Sequence, residues 1–116
     1  DWRSPQNDNL WQGVNGVNNP CPDGYRLPTE AEWDTERQSW NNNLNEAAGA
    51  FASPLKLPLS GFRNELSGSV NYADSAGYYW SRTVDGTDAR DLLFIINAAQ
   101  IIGHRAIGKA VRCIKD

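Results

Sequence analysis

Three kinds of side chain in this 116-residue chain have types and spacing that could do chemistry. They are two cysteines (Cys21 and Cys113), one histidine (His104), and the glutamates Glu30, Glu32 and Glu36. A Cys–His nucleophile needs thiol and imidazole within hydrogen-bond reach, and His104 has no cysteine near it in sequence. No hydrolase-triad motif is present. The three glutamates invite a metal reading, but Thr29 with Glu32 three residues on forms a capping box, which assigns them to a helix N-terminus and its solvated face. Asp and Asn in loops are generic oxygen ligands for calcium, without a defined set here. The residues therefore point to a non-enzyme, with no catalytic residue, metal site or cofactor assigned.

The cysteines leave two alternatives. A Cys21–Cys113 bridge would enclose 91 intervening residues. That closure is worth ~4.5 kcal/mol in the chain-entropy model and implies an oxidising exterior. Two buried free thiols are the other reading.

A different kind of chemistry, apolar contact with a charged rim, is concentrated between residues 82 and 107. If 91–95 is a strand, Leu92 and Phe94 share one face, and Asp91, Leu93 and Ile95 share the other. With Leu92 and Phe94 in the core, Leu93 and Ile95 face out beside Ile96. Ile101, Ile102 and Ile107 follow, making five isoleucines between 95 and 107. Arg82, Asp85, Asp88, Asp91 and His104 would rim this patch, as at a protein-binding surface. Ala98, Ala99 and Gly103 would leave hollows for a partner's side chains. His104 could add pH sensitivity. The alternative is that the isoleucines fill the core.

The elements that must position these groups follow from pattern. Residues 1–27 are turn-rich, and the chain holds 12 Asn and 10 Gly, so the fold is loop-rich. A helix begins after Thr29 and carries Trp33 and Trp40 on one face. A second, shorter helix spans 44–51 and ends at Pro54. Strands are expected at 55–59, near 60–63, at 78–83, at 89–96 and at 109–114, with a turn at Asp85-Gly86. The class is α+β, with two helices packed on antiparallel strands. Five Trp supply buried area that long helices would otherwise provide. Net charge of −3 argues against nucleic acid, and no apolar run spans a bilayer.

The run Cys21-Pro22-Asp23-Gly24-Tyr25-Arg26-Leu27-Pro28-Thr29-Glu30-Ala31-Glu32-Trp33 resembles a signature of C-type-lectin-fold domains. Among them are the formylglycine-generating-enzyme-like group and the Fibrobacter succinogenes major paralogous family. Tyr79-Trp80-Ser81, Asp88-Ala89-Arg90, Arg105-Ala106 and Val111-Arg112-Cys113-Ile114-Lys115 resemble the closing half of the second group. The same half is similar to variable proteins of diversity-generating retroelements, in which adenine-targeted copying rewrites codons on a constant scaffold.

The resemblance implies a C-type lectin fold over 1–116, forming the C-terminal part of a longer protein, with N- and C-terminal segments meeting. It implies that Trp80, Leu92, Phe94 and Arg105 are scaffold. The ligand-binding positions would be Arg82, Asp85, Asp88, Asp91, Leu93, Ile95, Ile96, Ile102, Gly103, His104 and Ile107. The partner would be a protein on a cell or virion surface, met outside the cell, with oligomerisation open. A fixed-specificity extracellular domain and a diverged formylglycine-generating enzyme are the alternatives. Calcium-dependent sugar motifs (Glu-Pro-Asn, Gln-Pro-Asp and Trp-Asn-Asp) do not occur in the chain.

Overall fold

A computed structural model describes residues 3–40, 47–95 and 99–116. In chain order the elements are β1 (Tyr25–Arg26), α1 (Glu30–Gln38), α2 (Ala47–Ala52), β2 (Phe62–Arg63), β3 (Val70–Asn71), β4 (Ala76–Asp85), β5 (Asp88–Ile95), β6 (Ala99–His104) and β7 (Ile114–Lys115). The domain is α+β. Among the described residues, two helices accompany three antiparallel sheets, ordered β1-β7, β2-β3 and β4-β5-β6.

The capping box forms as the spacing predicts. Thr29 Oγ1 accepts from the Glu32 N–H at 3.2 Å, and Glu32 Oε2 accepts from the Thr29 N–H at 2.7 Å. Arg26 grips the same carboxylate with two nitrogens at 2.8 Å each and reaches Asp116 through Nε at 2.6 Å. One guanidinium thus ties the helix start to the chain end. The Arg26 hydrogen bonds, with those from Thr29, hold the Glu32 carboxyl down at about 2. Tyr25 pairs with Lys115, and Cys21 is disulfide-bonded to Cys113, so the two terminal segments meet.

The core joins Trp33, Trp40, Ala50 and Leu57 to Tyr79, Leu92 and Phe94 of the sheet. Alternation puts Tyr79, Leu92 and Phe94 on the helix-facing side. Phe94 stacks on Tyr79 and meets Trp40 edge-on, with centroids 5.9 and 5.5 Å apart. Gly77 pairs with Phe94, and a Cβ there would collide with the phenyl ring, so glycine permits this packing. Trp33 Nε1 donates to Trp80 O at 3.2 Å, which fixes α1 against β4.

Several expected boundaries differ. Residues 55–59 are not a strand. Lys56 takes φ +51° and the Leu57 N–H returns to Ala50 O at 3.1 Å, so this stretch closes α2, and its alternating leucines pack as a cap. The second helix is seen over Ala47–Ala52, while residues 44–46 lie outside the described set. Of the last expected strand, 109–114, only Ile114 falls in a strand, β7, with Ala110 making an isolated bridge to Tyr79. Ala99–His104, outside the expected strands, is the third strand of the main sheet. No helix among the described residues is long and apolar enough to cross a membrane.

Candidate functional site

The second face of the β4-β5-β6 sheet decides where the expected binding positions lie. Trp80 and Tyr78 on β4 stand opposite Asp91 and Leu93 on β5, so all four share the face away from the helices. That face carries its own second layer. Phe62 packs edge-on against Tyr78 at 5.0 Å. Lys109 crosses the Trp80 ring, with Nζ 4.1 Å from its centroid, and reaches Asp91 Oδ2 at 2.6 Å. Both charged side chains are buried, at 2% exposure for Lys109 and 0% for Asp91. Burial pushes the Asp91 carboxyl up and Lys109 pulls it partly back, leaving it raised.

Three expected display positions therefore do not face solvent. Leu93 is 6% exposed. Asp91 is committed to Lys109. Gly103 is buried, and the hollow expected there is filled, because a Cβ would collide with Lys109 Nζ. Alternation sets the two faces as the sequence implies, but the outward face is roofed by residues distant in sequence. Ile95 and Ile107 are half-buried. Ile96 lies outside the described residues, and Ile102 sits in β6 opposite Arg90.

The remaining positions gather at the turn end of the sheet. Asp85 and Asp88 flank the β4–β5 turn at Gly86, where φ is +58°. Asp85 receives Arg90 Nη2 at 3.0 Å, and Arg90 also approaches Glu30 at 3.7 Å. Asp88 Oδ1 lies 3.1 Å from His104 Nδ1, and the His104 side chain is 74% exposed. Arg105 binds the carbonyls of Gly86 and Asp88 and pairs with Asp8 at 2.6 Å. It is 6% exposed and clamps the turn to the N-terminal loop.

Beside this turn is a cavity of about 410 Å³ between the N-terminal loop and β4–β5. Leu10, Trp11, Trp80, Val84 and Ala89 give it apolar walls, and Gln12, Arg82 and Arg105 add polar groups. An adjoining concavity shares Asp8, Gln12, Arg82 and Val84 and adds Thr29 and Thr83. Arg82 sits where the β4 register shifts between Trp80 and Val84. A bulge re-aims side chains and commonly lies beside a functional site. The bulge is anchored on both sides: the Arg82 N–H donates to Pro28 O at 2.9 Å, and Gln12 Nε2 donates to Arg82 O at 2.7 Å.

Trp11 and Gln12 were not among the expected site residues. The signal for them was an apolar pair, Leu10-Trp11, isolated in a polar, turn-rich stretch. The glutamates are accounted for locally, with Glu32 in the cap, Glu30 near Arg90 and Glu36 accepting from Trp40 Nε1 at 3.1 Å. Both cysteines are bridged. No known protein family, curated protein or solved structure matches this chain.

Proposed function

We propose that this domain binds ligands without catalysing a reaction, and that it recognises a protein on a cell or virion surface through the turn end of its main sheet. The observation that carries the reading is convergence. Arg82 lines the cavity, and Asp85, Asp88 and His104 gather at the adjoining β4–β5 turn end, while the aromatic core and the Arg105 clamp hold the backbone beneath them. An apolar cavity with a polar, charged rim suits recognition, with burial giving affinity and the rim giving selectivity. The disulfide supports an extracellular setting and removes both sulfurs as thiol nucleophiles.

The C-type lectin fold is part of the proposal. Its support is the sequence resemblance, the meeting of terminal segments, and two helices set against antiparallel strands. On that fold, the domain is a retroelement-diversified variable protein whose changeable positions are Arg82, Asp85, Asp88, His104 and the half-buried Ile95 and Ile107. Asp91, Leu93 and Gly103 belong to the scaffold instead. Sequencing the encoding locus tests this reading. A near-copy of the region for residues 80–113 that differs only at adenines supports it. The absence of such a copy leaves a domain of fixed specificity.

A further inference from the structure

We infer that Arg82 anchors a carboxylate-recognition site, in which a ligand's acidic group pairs with the guanidinium and its apolar body lies in the cavity beside Trp11. The inference rests on the recognition reading above and adds the chemistry of what is recognised.

Charge pairing distinguishes the arginines. Arg26, Arg37, Arg90 and Arg105 each hold a carboxylate. Arg82 holds none among the described residues. Among the described residues its one side-chain partner is the neutral Gln12 Oε1, which accepts from Nη1 at 3.3 Å, and its buried Nε has no acceptor. Asp8, the acid lining both concavities with Arg82, is taken by Arg105 at 2.6 Å. A partly buried cation without a counter-ion is costly, and the cost is relieved when an anion arrives.

The surroundings specify which anion. Leu10, Trp11, Val84 and Ala89 wall the cavity with apolar surface, which lowers the local dielectric and favours a group with an aromatic or branched body. Guanidinium matches a carboxylate's two oxygens in one plane, so a charge-assisted pair is both strong and oriented. Such a carboxylate has two sources: an acidic residue on a protein partner, or a free small carboxylic acid.

The test uses the whole domain and four probes. These are indole-3-acetate, its neutral analogue indole-3-acetamide, and a blocked Leu-Glu-Trp peptide with its Gln counterpart. Arginine Nε–H and tryptophan indole N–H resonances report where each binds. The acids should bind about tenfold or more tightly than the matched neutral probes and should shift the Arg82 Nε–H signal. That preference should vanish in Arg82→Gln and weaken in Arg82→Lys. The Arg82→Gln variant should melt no lower than the parent, since it removes an unpaired charge. Peptide binding tighter than free-acid binding identifies a protein source, and the reverse identifies a small molecule. Equal binding of acids and neutral probes, no shift at Arg82, or a strongly destabilised Arg82→Gln overturns the inference. Tolerance of Asp85, Asp88 and His104 to substitution judges the recognition reading separately, so either can fail alone.

Discussion

Lys109 Nζ lies 2.6 Å from Asp91 Oδ2 beneath the Trp80 ring, and this buried pair roofs the sheet face that alternation alone would leave open to solvent. Among the described residues Asp91 Oδ1 has no hydrogen-bond partner, so the pair is incompletely satisfied. Removing one member leaves an uncompensated buried charge. Lys109→Met should destabilise the domain by about 3–5 kcal/mol in urea unfolding. The double variant Asp91→Leu with Lys109→Met should lose less than the single one, because apolar groups of similar volume need no partner. Equal losses in the two would contradict this role for the pair.

Gly103 is coupled to the same lysine. Gly103→Ala places a Cβ where Lys109 Nζ sits, so it should cost about 1–3 kcal/mol. The cost should shrink in a Lys109→Ala background, where the space is empty. Thermal melts of the two singles and the double check this. An unchanged cost would mean that something other than Lys109 requires the glycine.

The disulfide closes a sequence separation of 92 residues. Replacing both cysteines by serine should therefore cost about 2–5 kcal/mol. Most of the effect should be seen as a lower urea midpoint. The β1–β7 pairing and the Arg26–Asp116 contact should loosen with it, readable as faster amide exchange at Arg26 and Ile114.

Acid sensitivity should centre on Glu32. Its folded value of about 2 lies below the ordinary 4.5, so the stabilisation is complete above pH 4.5 and is lost as pH falls towards 2. The side chain is 40% exposed, and after screening the loss is about 1–2 kcal/mol. Asp91 works in the opposite sense. Its raised carboxyl favours the fold below its ordinary 3.8, and that contribution is lost as pH rises through its folded value. Glu32→Gln should flatten the stability curve between pH 4.5 and 2. A parallel curve would assign the acid response elsewhere.

Local signals in the sequence carried through to structure. Thr29 and Glu32 mark the helix start because capping involves residues three apart. Leu92 and Phe94 declare the core face because strand alternation is local. Three misreadings share a cause. Leu93 and Asp91 point away from the helices as the pattern implies, but the roof over them comes from Phe62 and Lys109, which periodicity cannot see. The alternating leucines at 55–59 read as a strand because a helix cap laid over a core buries the same residues. The cavity wall at Trp11 depends on a loop folding back some 70 residues along the chain, joined through Gln12 and Arg82.

A committed scaffold carrying a replaceable recognition face is tested most directly by a saturation scan of folding stability. Substitutions at Arg82, Asp85, Asp88 and His104 should mostly stay within about 0.5 kcal/mol of the parent. Those at Phe94, Asp91, Gly103 and Lys109 should mostly be destabilising, by about 1–5 kcal/mol. If the turn-end positions prove as intolerant as the buried ones, they are structural, and the recognition face does not lie at this end of the sheet.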